Sequence, residues 1–243
     1  MNNCLANTNF LVSLKDITEI SNEILESIDI LDLKNPSQGS IGSWETSKIK
    51  KAVALYKSQV KISATLGDIF CNEDFTKKIE QFDTFNLDFI KFGLLSKNTN
   101  HLFEKIDLVS LREFKTDLVC VVFVDKQVDL ENVLHNLKFL KRKGINNILL
   151  DTFRKNNGDL LSYCDIFFLK NFITKCKKYQ INIGLAGGVN ERQLPSLIEL
   201  RPNIIGLRSA VCSSNNRNLV IDKERVQKLS SYFNFCSIKA TER

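Results

Sequence analysis

Histidine is almost missing from this 243-residue sequence; His101 and His135 are the two that occur. Each has a glutamate within a helical turn, Glu104 and Glu131, but neither pair extends to a second histidine or a cysteine. That argues against a zinc site and leaves only a carboxylate-built magnesium site open. The seven cysteines are odd in number and contain no CxxC, so they do not form a disulfide framework. No apolar run exceeds residues 118–124, which is too short to cross a bilayer. The first eight residues carry no basic segment ahead of an apolar one, so no secretory signal and a cytoplasmic location are expected. No GxGxxG follows the first apolar segment, which weakens a dinucleotide-binding reading. There is no low-complexity stretch and no Pro/Gly-rich linker. The expectation is one domain over 1–243, with a short polar leader at 1–9 and a polar tail at 234–243 that frays.

What is present is ordinary in bulk and unusual in placement. Apolar residues make up 43% and charged residues 26%, as in a soluble globular protein long enough for a sizeable core. The formal charge of +6 raises the question of an anionic partner. The lysines are scattered through helical patterns, as in Lys48-Ile49-Lys50-Lys51 and Lys175-Cys176-Lys177-Lys178, and read as solvated faces. No dense basic stripe with interleaved aromatics occurs, so nucleic acid is not expected. Holding a small phosphorylated metabolite is the remaining use for the charge.

Hydrophobic periodicity predicts strands at 10–14, 27–34, 60–66, 87–93, 118–124, 147–151, 181–186 and 203–207. Helices are predicted after a cap at Asp16 and at 44–56, 74–85, 98–108, 130–143, 163–179, 191–200 and 222–232, with Gly144 closing the fifth of these eight. Eight alternations make an α/β chain, a single (β/α)8 TIM-type barrel of the usual length of about 250 residues. An open doubly wound sheet shares the alternation. The count of eight, and a polar residue at the carboxyl end of nearly every strand, favour the barrel.

Strand carboxyl ends converge on one mouth in such a barrel. There the sequence delivers Asp32 and Lys34, Asp68, Lys91, Asp125, Asp151 with Lys155 just beyond it, and Arg208. Ile30, Asp32 and Lys34 share one strand face, and a carboxylate with an ammonium is costly merely as core filling. Salt-bridged plugs and solvated loop residues are the plain explanation, and they fit Asp68 and Asp125 better than Lys34 and Lys91. The chemical explanation starts from lysine, whose amine attacks a carbonyl only when neutral and whose free pKa is about 10.4. Burial and neighbouring ammonium groups lower that value, and a neutral lysine forms a Schiff base that serves as an electron sink. Asp32 and Asp151 would then move protons or hold the other ammonium groups. For phosphate, Ala186-Gly187-Gly188 after the seventh strand and Leu207-Arg208-Ser209-Ala210 after the eighth occupy the usual position in such barrels.

Several of these stretches resemble the (5-formylfuran-3-yl)methyl phosphate synthase family. They are Asp32-Leu33-Lys34-Asn35-Pro36 with Gly39-Ser40-Ile41-Gly42, Ser63-Ala64-Thr65-Leu66-Gly67-Asp68, and Ile90-Lys91-Phe92-Gly93-Leu94. Leu150-Asp151-Thr152 with Lys155, Leu185-Ala186-Gly187, and 206–212 with Arg217 continue the likeness, which is collinear over 10–232. The resemblance implies a (β/α)8 lyase of methanofuran biosynthesis with no dissociable cofactor. It would condense two glyceraldehyde 3-phosphate molecules into a furan phosphate, with loss of phosphate and water. It makes Lys34 the Schiff-base lysine, with Asp32, Lys91, Asp151 and Lys155 as acid–base and electrostatic partners. Asp68, Asp125, Gly187, Gly188, Arg208 and Ser209 are the expected substrate and phosphate contacts. Two stretches depart from the family pattern: Ser213-Ser214-Asn215-Asn216 has less glycine, and Val121-Val122-Phe123-Val124-Asp125 is bulkier. A class I aldolase on another phosphorylated carbonyl, and a phosphate-binding barrel without catalysis, remain as alternatives. Homo-oligomerisation is left open.

Overall fold

Successive buried strands, each followed by an amphipathic helix, force the sheet to cover its outer face with helices and to close on itself. In the computed structural model, which describes residues 8–94, 103–154 and 157–241, eight parallel strands form a closed barrel. They are β1 (Asn9–Leu14), β2 (Ile30–Leu33), β3 (Lys61–Thr65), β4 (Phe89–Gly93), β5 (Asp117–Phe123), β6 (Asn147–Asp151), β7 (Asn182–Leu185) and β8 (Ile204–Leu207). β8 pairs back onto β1 with Leu207 beside Val12. The helices are α1 (Asn22–Leu25), α2 (Thr46–Tyr56), α3 (Asn72–Asp83), α4 (Glu104–Ser110), α5 (Gln127–His135), α6 (Leu137–Arg142), α7 (Leu160–Tyr163), α8 (Ile166–Lys178), α9 (Leu194–Glu199) and α10 (Lys223–Thr241). Among the described residues no helix is long and apolar enough to cross a membrane.

All eight expected strands are present, and the helices differ in instructive ways. The segment expected as one helix at 130–143 is two, α5 and α6, broken at Asn136, whose amide donates to the Asn132 carbonyl at 2.8 Å. Such local side-chain bonding competes with the helix ladder. The helix expected at 163–179 starts at Ile166 as α8, capped by Asp165 accepting from Phe168 N, and a separate short turn of helix, α7, precedes it, capped by Asp159 accepting from Ser162 N. Asp16 caps as expected, but onto a 3-10 turn at Ile17–Glu19 ahead of the four-residue α1. Gly144 takes a φ of 85°, the left-handed closure expected after α6. The tail expected to fray from 234 is instead helical through Thr241 as part of α10. Part of the helix expected at 98–108 falls outside the described residues; its remainder is α4.

Alternation along the strands sorts side chains into two cores. Leu31, Leu33, Ile62, Ala64, Ile90, Phe92, Ile148, Leu150, Ile183 and Leu185 point outward and pack under Ile49, Phe75, Phe82 and Phe172 of the helices. Inside the barrel a smaller cluster holds Ile41, Val119, Val121, Phe123 and Leu149, with Phe89, Phe153 and Ala186 packed against it. The filling is lopsided. On the opposite side stand Ser13, Gly184 and Gly206, and a Cβ at Gly184 would lie 2.7 Å from Leu149 Cδ1. The bulky β4–β6 side plugs the barrel, and the thin β7–β8–β1 side leaves a cavity at the carboxyl mouth, lined by Ser13, Lys34, Lys91, Asp151, Gly187 and Arg217 among others.

Candidate active site

Lys34 stands one residue past β2, and its loop is tied down on every side. Its own N–H donates to Leu14 O at 3.1 Å, and Asn35 N donates to Gly42 O at 2.9 Å. A Cβ on Gly42 would come within 2.1 Å of the Asn35 carbonyl oxygen, so only glycine allows this approach. Asn35 caps the short turn Pro36–Gln38 by accepting from Ser37 N at 3.0 Å. Gly39 has a φ of 110° and sits against Asp68, whose carboxylate accepts from Ser40 N (2.9 Å) and Ile41 N (3.1 Å). Ile41 then enters the inner plug. Asn35, Gly39, Ser40, Ile41 and Gly42 thus fix the loop that follows Lys34.

Two lysine–aspartate pairs meet in the mouth. Lys34 Nζ lies 3.0 Å from Asp151 Oδ2, and Lys91 Nζ lies 2.6 Å from Asp32 Oδ1. Asp32 is fully buried, and its other oxygen accepts from Ser13 Oγ at 2.7 Å. The Lys91–Asp32 contact is a charge pair whose angles fall outside hydrogen-bond geometry. Burial holds the Lys91 ammonium below its ordinary pKa; Asp32 opposes that shift and Lys34 reinforces it. Asp151 is anchored as well, since Thr152 N donates to its Oδ1 at 2.8 Å. Removing two charges from water costs several kcal/mol per ion, so a buried pair of this kind is poor value as mere glue. The expected partners Asp32, Lys34, Lys91 and Asp151 are brought together. Lys155 lies outside the described residues.

Other expected contacts are placed differently. Asp68 and Asp125 were expected to hold substrate, but both face backbone. Asp68 clamps the loop after β2, and Asp125 clamps the loop after β6 by accepting from Phe153 N and Arg154 N, each at 2.7 Å. Gly187 and Gly188 line the cavity at φ values of 99° and 68°, and a Cβ on Gly187 would press to 2.8 Å from Thr152 N. Ser209 also lines it. Arg208 reaches the rim, yet all five of its N–H groups are engaged: with Glu19 at 2.7 and 3.0 Å, and with the carbonyls of Ser13, Arg217 and Leu219. It has no donor left for a phosphate. In the glycine-poor loop after β8, Ser214 and Asn215 take left-handed φ values of 53° and 55°. Asn215 is stabilised there by Arg225 Nη1 at 2.6 Å.

Sequence reasoning missed Ser13, Glu19 and the position of Arg217. Ser13 shares inward parity with Leu11 on β1, a signal that was there to read; Glu19 carried none. The buried thiols are not candidate nucleophiles, since burial pushes Cys164 and Cys176 up to about 12 and Cys212 to about 11. Among the described residues no group of three or more His, Cys, Asp and Glu side chains is placed to hold a metal ion.

Fold and site together define a (β/α)8 barrel with a lysine-centred mouth. Solved barrels of similar shape include phosphoribosyl anthranilate isomerase from Thermus thermophilus, with a TM-score of 0.61 at 13% identity, covering 94% of this chain and 100% of that one. 3-Hexulose-6-phosphate synthase from Salmonella typhimurium gives 0.59 at 11%, covering 92% and 99%. These likenesses establish the fold. The chain belongs to the 4-HFC-P synthase family, whose sequence profile it matches over residues 10–230. It is 28% identical over 230 residues to the (5-formylfuran-3-yl)methyl phosphate synthase of Methanococcus aeolicus, covering 90% of this chain and 97% of that one. With the Methanocaldococcus jannaschii protein of the same name it shares 26% over 229 residues, covering 90% and 97%.

Proposed function

We propose that the chain is a furan-forming lyase that condenses two glyceraldehyde 3-phosphate molecules into (5-formylfuran-3-yl)methyl phosphate, with release of one phosphate and two waters. The observation that carries the proposal is the Lys34–Asp151 pair at 3.0 Å, lining the cavity beside a second, more deeply buried pair. Asp151 takes a proton from Lys34 as the amine adds to the aldehyde carbon of one triose, and loss of water gives an iminium. The iminium draws electrons from C2, whose proton leaves, and C2 becomes a nucleophile. The product skeleton requires a bond from that middle carbon to the terminal carbon of the second triose, the carbon that sheds its phosphate. The hydroxyl oxygen of the second triose then closes the ring on the iminium carbon, frees Lys34, and loss of a second water completes the furan. Lys91 and Asp32 supply fixed charge beneath these steps, in a site where charge counts for more than in water.

Incubation with glyceraldehyde 3-phosphate tests this reading. The expected result is a furan chromophore with one inorganic phosphate released per furan formed. An aldol product without phosphate release would make the protein an aldolase of the same Schiff-base type, and neither product would end the enzymatic reading.

A further inference from the structure

Arginine is the natural donor for a phosphate because its planar fork supplies parallel N–H groups. The sequence offers two near the last strand, and the structure separates their tasks. Arg208 is saturated by Glu19 and three carbonyls. One of those carbonyls belongs to Arg217, held at 2.9 Å by Arg208 Nε, and another to Leu219 at 2.9 Å. Arg208 therefore fastens the segment that carries Arg217 to the barrel wall.

Arg217 is the reverse case. It is half-buried and lines the mouth cavity with Lys34, Lys91, Gly187, Gly188 and Ser209. Its Nε is buried without a hydrogen-bond partner, and among the described residues its guanidinium makes no ion pair. A desolvated guanidinium with an unmet N–H is expensive unless something arrives to meet it. The loop bearing it is also too well tied to swing away: Ser213 N donates to Val220 O at 3.1 Å, Leu219 N to Asn216 O at 3.0 Å, and Arg225 holds Asn215 from behind.

We infer that Arg217 is the phosphate-binding arginine of this mouth, taking a phosphate monoester between its guanidinium and the backbone at Gly187 and Gly188, and that Arg208 is its positioning residue. The identity of the ligand as a triose phosphate rests on the function proposed above; the anion site itself rests on the unpartnered guanidinium. Inorganic phosphate, titrated calorimetrically into the whole protein, is the probe. Arg217→Gln should weaken binding by at least about tenfold, the loss expected for a charge-assisted bond, and Arg217→Lys should restore part of it. Unchanged melting of Arg217→Lys shows that the fold is retained. Affinity within twofold of wild type in Arg217→Gln would overturn the assignment, as would wild type that fails to bind phosphate. Binding that survives Arg217→Gln but is lost in Arg208→Lys would hand the site to Arg208 and overturn it equally. Phosphate binding through Arg217 in a protein that makes no furan would support this site and remove only the synthase reading.

Discussion

The two lysine–aspartate pairs use the same chemical groups and differ in how deeply they are buried. Lys91 and Asp32 have side chains 4% and 0% exposed, whereas Lys34 and Asp151 are 12% and 2% exposed. Ser13 holds Asp32 of the deeper pair from behind, and both lysines line the cavity, Lys34 from a loop tied down by Asp68. A covalent step needs an amine that substrate can reach and that can shed a proton. An electrostatic role needs a charge that does not move. Under the function proposed above, the difference in burial favours Lys34 for the covalent step and Lys91 for the supporting field.

The most severe way to break this comparison is Lys34→Ala. Furan formation should fall to background with no borohydride-trappable adduct, read by absorbance and mass spectrometry. Next is Lys91→Met, which strands the fully buried Asp32 carboxylate. Stability should drop by about 3–5 kcal/mol in denaturant titration and turnover by about 100-fold or more. Adding Asp32→Asn should recover most of the stability and none of the turnover, since the charge is gone from both sides. Asp68→Ala removes two backbone bonds from the Lys34 loop. A loss of about 1–3 kcal/mol is expected, with the adduct still forming at Lys34 but more slowly.

The smallest effect comes from Lys105, a buried lysine that does not line the cavity and serves as a control. Its ammonium donates to Ile69 O and Gly93 O, lies over the Phe75 ring, and is pushed by burial down to about 8 from an ordinary 10.5. The unfolded chain holds that proton more tightly, so this group's contribution to stability rises as the pH climbs from about 8 to about 10.5. Wild type should gain melting temperature over Lys105→Met across that interval, while furan formation by the variant stays within a few-fold. Burial alone would then be shown not to make a lysine catalytic here.

Much of this was legible in the amino-acid order. Eight apolar runs separated by helical periods led to the barrel, and parity along β2 put Asp32 on the inner face. The side chains' second partners were not legible. Spacing places a carboxylate at the end of β3 or β5, but whether it faces the cavity or a neighbouring loop's N–H groups depends on that loop's path. Asp68 and Asp125 therefore read as substrate ligands and are clamps. Arg208 read as the phosphate donor because Glu19, its partner, comes 189 residues earlier in a turn with no distinguishing pattern. The helix break at Asn136 and the helix start set by Asp165 were hidden for a related reason: one polar side chain finding a local backbone partner outweighs a run of good periodicity.

Reduction with borohydride in the presence of glyceraldehyde 3-phosphate, followed by peptide mass spectrometry of the whole protein, tests the division of labour between the two pairs most directly. The expected result is a reduced triose adduct on Lys34, with the peptide carrying Lys91 unmodified. An adduct on Lys91, or none on either lysine while furan is being made, would contradict it.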